Sequence, residues 1–504
     1  MRCEILLTAD RTLMSNYHGN EFLGFGPCAP TDIFSNWLFQ AIFFPPIRTV
    51  GCEPVQAPYS LRKIEAKLMD EGFNVLTVDP DHLQPYISDA KALGIHVMDP
   101  LGFGPASTTF ARLLRTGEPY LSKHFRRLLE KKEVRDAKRR GLRIIVGGPG
   151  AWQFKLKPEF MDKHGIDCVV DGESEKVIGD IFRKAINNDD LPKFYDVNIK
   201  DTPSLEDIPN IRKPSINGLV EIGRGCCRGC SFCSVTLRPL RWYPYEKVWK
   251  ELKVNADSNL NYSILHAEDV LLYGSRDIFP VREKVLKLHK LCKGVMKKMS
   301  WSHTSMATVA TDPKLLREVA EIIEDENQDW WGAEVGIETG SPELIRKTMP
   351  AKVRPFKVED WPDVVKTAAA SMMDNNLVPA CTLIVGLPQE TDDDIARTIE
   401  LVDDLRGFKS LIVPLFFVPL GRLKDKDWFT VEDMNDLHKE LFVTCLNHDV
   451  YWAKRILKSY SRGRLREATL TLLYRLFLMM VERKAREIRF KPTHPTAKTR
   501  VSLP

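Results

Sequence analysis

Hydrophobic and polar positions follow two rhythms along this chain. Short β-branched runs, EILLT (4–8), FNVLTV (73–78), GIHVMD (94–99), LRIIVGG (142–148) and CVVDG (168–172), read as buried strands. Between them, SLRKIEAKLMDEG and STTFARLLRTG carry apolar residues at three- and four-residue spacing, the period of an amphipathic helix. Strand–helix alternation predicts an α/β fold with a parallel sheet, here a Rossmann-like unit over residues 1–200. The stretch DTPSLEDIPNIRKPSING has turn formers and charge without an apolar period, so residues 201–217 read as a linker. Beyond it LVEIG, YSILHAEDVLL, WWGAEVGIE and VPACTLIVGLP read as strands, followed by helical stretches such as SPELIRKTM and TDDDIARTIELVDDL. They predict a second parallel unit over 218–428, a partial or full (β/α) barrel with its chemistry at the carboxyl ends of the strands. Residues 429–504 read as helical, with a basic amphipathic helix around 464–488.

Composition narrows the classes. A chain of 504 residues with 43% hydrophobic content can bury more than one core. Its 73 basic and 68 acidic residues nearly cancel, which does not suggest a nucleic-acid surface. Eleven unevenly spaced cysteines do not make a secreted disulfide framework, so reduced thiols are expected. The start, MRCEILLTAD, lacks the pattern of a signal peptide. The apolar run TLTLLYRLFLMMV is broken by Arg475 and is shorter than the ~20 residues that span a bilayer. A cytoplasmic protein without a transmembrane segment is the expectation.

The chemistry concentrates in GRGCCRGCSFC (223–233), where Cys226, Cys230 and Cys233 follow the strand LVEIG directly. Three thiolates from one strand-to-helix loop can hold three irons of a [4Fe-4S] cluster and leave the fourth open. The alternative is a structural zinc site, which wants four closed ligands, and no second cysteine pair stands nearby. Cys227 falls inside the spacing as a bystander. No catalytic acid, base or nucleophile is singled out.

This CxxxCxxC loop resembles that of the radical S-adenosylmethionine (SAM) superfamily, and the likeness runs from 218 to about 425. HAEDVLLYG (266–274) looks like the segment whose acidic side chains meet the SAM amino group, which implies that role for Glu268 and Asp269. GAEVGIETGSPELIRKTM (332–349) and VGLPQETDDDI (385–395) resemble the family's GIESGS and GLPGET segments, which implies SAM contacts at Gly336, Glu338, Gly386 and Pro388. In the first unit, IVGGPGAW (145–152) and VVDGESEKVIGDI (169–181) resemble the cobalamin-binding domain fused to many radical SAM enzymes. That likeness implies cofactor contacts at Gly147, Gly148, Pro149, Gly172 and Glu173, with Gly150 standing where a histidine is usual. The DxHxxG cobalamin fingerprint is absent. NYHGNE (16–21) occupies its place, and His18 there reads as a loop histidine more readily than as a cobalt ligand.

The resemblance implies a cobalamin-dependent radical SAM methyltransferase acting on an unactivated carbon, with methylcobalamin as methyl donor and a low-potential electron donor such as ferredoxin. The long insert after the first strand is similar to archaeal members, which points to a protein substrate, a glutamine in the alpha subunit of methyl-coenzyme M reductase. The insert could equally be a surface segment with no substrate role. Two rivals stand beside this: a radical SAM enzyme joining or cyclising archaeal isoprenoid lipids, and a non-enzymatic cobalamin-binding or electron-transfer module.

Overall fold

The computed structural model describes residues 3–460 apart from 33, 34, 114–116, 327 and 329. The helix expected at 464–488 lies outside the described residues.

The first sheet holds six parallel strands: β1 (Ile5–Ala9), β2 (Val75–Thr77), β3 (Ala92–His96), β4 (Arg143–Gly147), β5 (Cys168–Asp171) and β6 (Phe194–Asp196), in the order β2-β1-β3-β4-β5-β6. Every residue of β1 and of β3 is buried, because helices cover both faces, and this is why both read as unbroken apolar runs. The chain reverses direction across the sheet between β1 and β3, the switch point where doubly wound sheets open a crevice at their carboxyl edge. The insert after β1 packs its aromatic residues against the helix Tyr120–Glu130, with Phe39 stacked on Tyr120 at 4.4 Å.

The second unit is an arc of parallel strands in sequence order. β7 (Leu219–Glu221), β8 (Tyr262–His266) and β9 (Lys298–Trp301) form one part; β10 (His303–Thr304), β11 (Trp331–Glu338), β12 (Leu377–Val385) and β13 (Leu411–Phe416) form the other. Ser302 joins the parts: its N–H donates to Leu265 at 2.9 Å and its carbonyl accepts from Glu334 at 2.8 Å. Among the described residues β7 pairs only with β8 and β13 only with β12, so the barrel is partial. Helices cover the outside. One of them, Asp392–Asp404, starts in a capping box in which the Thr391 hydroxyl and the Asp394 carboxylate satisfy each other's backbone N–H groups.

The segment 201–217 is packed. Ile208 and Ile211 are buried, and the Pro209 and Pro214 carbonyls accept from Lys63 and Arg62 of the helix Tyr59–Asp70. The first sheet also reaches both edge strands of the arc at their carboxyl ends. Arg224, just past β7, pairs with Glu173 and Glu175, which follow β5. The N–H of Phe416, the last residue of β13, donates to Thr109 Oγ1 at 2.7 Å, in the helix that follows β3. The carboxyl edge of the first sheet therefore spans the opening of the partial barrel.

Candidate functional site

After β7 a two-stranded ribbon, Gly223–Arg224 against Arg241–Trp242, frames the cysteine loop. Gly225 opens the loop at φ +82°, where a Cβ would come within 2.5 Å of the Pro239 carbonyl oxygen. Cys230 is buried, and Cys226 and Cys233 are half-buried. The Thr236 hydroxyl donates to the Cys233 carbonyl at 2.9 Å. Ser231 N–H donates to the Thr348 carbonyl at 3.1 Å, and the Ser231 carbonyl accepts from Arg422 N–H at 2.8 Å. Cys227 directs its thiol to the Asp277 carbonyl at 3.6 Å. Burial pushes the Cys226 thiol up to about 12, and burial raises Cys230 and Cys233 as well.

Among the described residues no three Cys, His, Asp or Glu side chains are grouped as ligands of a single metal ion. A cluster makes a different demand, with each cysteine on its own iron. Three cysteines on one braced loop fit it.

The brace that sequence reading missed is Arg228, inside the spacing. Its side chain is 4% exposed, and its fork donates to the carbonyls of Ala351, Lys352 and Arg354 at 3.2, 2.9 and 3.1 Å and to Thr308 Oγ1 at 2.6 Å. Its backbone N–H donates to Cys226 Sγ at 3.5 Å. The signal was one cation lodged among cysteines, which pattern alone cannot separate from a solvated charge.

The two acidic residues assigned to SAM part company. Asp269 is buried and accepts from Thr304, Ser305 and Thr308 hydroxyls at 3.0, 2.8 and 2.6 Å. Burial raises its carboxyl, against the pull of Arg228 and the hydroxyls. It ties β8's exit to β10 and to the start of the helix Met306–Thr311. Glu268 is half-exposed, and its charge pushes up the Cys226 and Cys233 thiols, which places it toward the cysteine loop. Of the pair, Glu268 remains available to an incoming amino group.

In β11, Glu338 has φ +67° and pairs with buried Lys352 at 2.7 Å. Their tips fill the space over Gly336, where a Cβ would meet Glu338 Oε1 at 2.0 Å. Gly386, at φ +84°, faces the Phe429 ring, 2.0 Å from where its Cβ would be, so a protein contact accounts for that glycine. Pro388 sits in the half-buried turn after β12.

The residues assigned to cobalamin lie at the carboxyl edge of the first sheet, and several are held by the protein itself. Gly148 (φ +123°) packs on the Val97 carbonyl and His96, Gly150 on the Met98 carbonyl, and Gly172 (φ +123°) on Val197. Gly147 is not crowded; its Cβ would lie 3.5 Å from the Val170 carbonyl oxygen, and Pro149 follows in the same turn. Glu173 is engaged by Arg224 at 3.0 Å and Arg241 at 2.7 Å. Met98 stands at the same edge 47% exposed. His18 Nε2 donates to the Ala41 carbonyl, 3.0 Å away.

The concave wall of the arc adds groups to which no motif gave a role. His266, His303, Glu334, Thr382, Ile384, Val413 and Leu415 are half-buried at alternate strand positions, while most of their neighbours are buried beneath the helices. His303 pairs with Glu334 at 3.1 Å; burial opposes its charge, but Glu334 lifts it to about 9.

Residues 220–402 match the model of the Radical SAM superfamily. Curated relatives include a probable threonylcarbamoyladenosine tRNA methylthiotransferase of Methanocaldococcus jannaschii, 23% identical over 54% of this chain and 60% of its own length. Another is the ribosomal protein uS12 methylthiotransferase RimO of Clostridioides difficile, 24% identical over 52% of this chain and 56% of its own. The chain thus spans little more than half the length of these relatives. Among solved structures, the radical SAM methyltransferase TsrM of Kitasatospora setae, with cobalamin and a [4Fe-4S] cluster bound, covers 83% of this chain and 73% of its own at TM-score 0.53 and 15% identity. That likeness extends over both parallel units and shows the fold.

Proposed function

We propose that the protein is a cobalamin-dependent radical SAM methyltransferase that methylates an unactivated carbon, with a glutamine of methyl-coenzyme M reductase as its substrate. The observation that carries this reading is the meeting of two carboxyl edges. The cysteine loop lies at the mouth of the partial barrel, and the carboxyl side of the first sheet reaches both edges of the same opening, through Glu173 and Glu175 after β5 and Thr109 after β3. A methyl carrier on that edge would face whatever the barrel holds. A fold shared with TsrM over both units supports the pairing of cofactors.

When bound, the cluster with SAM would supply a hydrogen-abstracting radical and methylcobalamin would supply the methyl group. The chain's part is placement. Cys226, Cys230 and Cys233 would hold the cluster, and Arg228 and Thr236 fix their loop. Glu268 would meet the SAM amino group. The lumen wall offers His303 paired with Glu334 on one side and Ile384, Val413 and Leu415 on the other, which suits a substrate with an apolar body and a polar end.

The test is anaerobic reconstitution followed by turnover with reductant, SAM, methylcobalamin and a peptide containing the target glutamine. About four irons and one cobalt per chain, with 5′-deoxyadenosine and a peptide heavier by one CH2, a methyl group in place of the hydrogen removed, are expected. Deoxyadenosine with an unchanged peptide would remove the substrate assignment. An isoprenoid lipid losing hydrogen without gaining methyl would favour the lipid rival. No deoxyadenosine from an intact reduced cluster would remove the enzyme reading.

A further inference from the structure

The concave wall of the arc has two halves of opposite chemistry. Glu221 of β7 is the register partner of His266 of β8, and His303 of β10 is the register partner of Glu334 of β11, so ionisable groups run across that half. On the other half Thr382 of β12 lies beside Val413 of β13, and Ile384 beside Leu415. The Thr382 hydroxyl is taken by Glu338 at 3.3 Å, which leaves this half effectively apolar.

In the ionisable half Glu221 is committed to Arg224 and Tyr243, but the other three residues keep groups to spare. Glu334 meets His303 Nε2 through Oε2 at 3.1 Å, and its Oε1 makes no hydrogen bond or ion pair among the described residues. His303 Nδ1 is buried and has no hydrogen-bond partner there. The His266 ring meets the His303 ring edge-on, with centroids 5.9 Å apart, and its nitrogens make no hydrogen bond among the described residues. Burial and the His303 charge hold His266 below its ordinary value, with Arg224 acting the same way and Glu221 and Glu268 opposing, so the ring is neutral and keeps one N–H. Buried donors and acceptors in folded proteins are nearly always paired. Two imidazole N–H groups and one carboxylate oxygen on one stretch of wall therefore point to a ligand that supplies their counterparts.

A primary carboxamide supplies them: an oxygen with two lone pairs and, beside it, an NH2 donor. A carboxylate in its place would face the Glu334 charge, an ammonium would face the His303 charge, and an alkyl group would leave all three unpaired. We infer that His266, His303 and Glu334 select a substrate by its side-chain carboxamide, whose oxygen accepts from the two imidazole N–H groups and whose NH2 donates to Glu334. The aliphatic stem of such a side chain is left to Ile384, Val413 and Leu415. The inference deepens the reading above and rests on it for the reaction; it adds which groups tell a glutamine from a glutamate.

The test uses the reconstituted full-length protein with SAM and peptides identical except for glutamine, glutamate or methionine at the target position. Binding is measured without reductant, by the anisotropy of fluorescently labelled peptides; methylation is then measured with reductant and methylcobalamin. The parent should bind the glutamine peptide about tenfold or more tighter than the other two. Glu334→Gln turns the free oxygen into an NH2 at the same volume, so it should weaken the glutamine peptide and strengthen the glutamate peptide, reversing the preference. His266→Phe should erase most of the advantage of glutamine over methionine. Iron content and circular dichroism matching the parent show that each variant is folded. If the substitutions change the affinities for all three peptides by one factor, the pair is structural and the inference is overturned, while methylation of the glutamine peptide by the parent leaves the reading above standing. A parent that discriminates the peptides as expected but methylates none would keep the pocket and remove the methylation reading for this substrate. A parent that binds all three alike would overturn the pocket outright.

Discussion

Arg228 shows how much a single side chain can hold. Three carbonyls from the segment Ala351–Arg354 and one threonine hydroxyl converge on its fork, and its backbone N–H reaches Cys226. Lysine could keep the charge but could not satisfy four acceptors in a plane. Each buried acceptor left unmatched costs about 1–3 kcal/mol, so Arg228→Ala is expected to lose about 3 kcal/mol or more of unfolding free energy. Arg228→Lys should recover part of that stability and still retain less iron after reconstitution, because the loop is no longer held in one geometry. Urea unfolding and iron analysis on the two variants check both halves. Cys227→Ala should keep the parent's iron content, since that thiol is turned to the Asp277 carbonyl. The three cysteines were legible because spacing is a covalent property of the chain. Arg228 was not, since its side-chain partners lie 80 to 126 positions away along the chain.

At the scale of elements, the joint between the ribbon after β7 and the loop after β5 is built from charge. Arg224 contacts Glu221, Glu173 and Glu175, and Tyr243 donates to Glu221 at 2.6 Å. Burial acts against the Glu221 charge, yet Arg224 holds its carboxyl down to about 2. The folded-state value lies below the ordinary 4.5, so this group's stabilisation is complete above pH 4.5 and is lost as pH falls toward 2. The difference corresponds to about 3 kcal/mol. Glu221→Gln should therefore be less stable at pH 7 and show a shallower loss between pH 5 and pH 3, measured by urea midpoints across that range. The same joint shows where reading elements from sequence stops. β1, β3, β4 and β5 are buried on both faces and announced themselves as apolar runs. β9 and β10 come from KMSW and HT, too short and too polar to show an apolar run. β13 contains Pro414, which argues against a central strand; it is tolerated because β13 is an edge. The glutamate in DGESE resembled a cofactor contact, and only the fold reveals that Arg224 and Arg241 already occupy it.

For the whole molecule, the question is whether two parallel units behave as one. The segment 201–217 has a linker's composition, and two isoleucines three residues apart are too few to show a period. In the folded chain those isoleucines are buried, and the segment lies between the helix Tyr59–Asp70 and the helix Tyr245–Asp257. Lys63 of the first helix is 1% exposed and pairs with Glu251 of the second, which is 0% exposed; Tyr59 also donates to Glu251, at 2.6 Å. A charge pair this deep contributes little net stability compared with well-packed apolar residues, but removing one member strands the other. Lys63→Met should thus cost about 3–5 kcal/mol, whereas Lys63→Met with Glu251→Leu should recover much of it. Since the same lysine also holds the Pro209 carbonyl, the single variant should expose the 201–217 segment to protease, yielding two fragments cut near that segment, while the parent resists. If the single variant resists cleavage as well as the parent does, the units are held together elsewhere, by the Glu173–Arg224 joint and the Thr109–Phe416 contact.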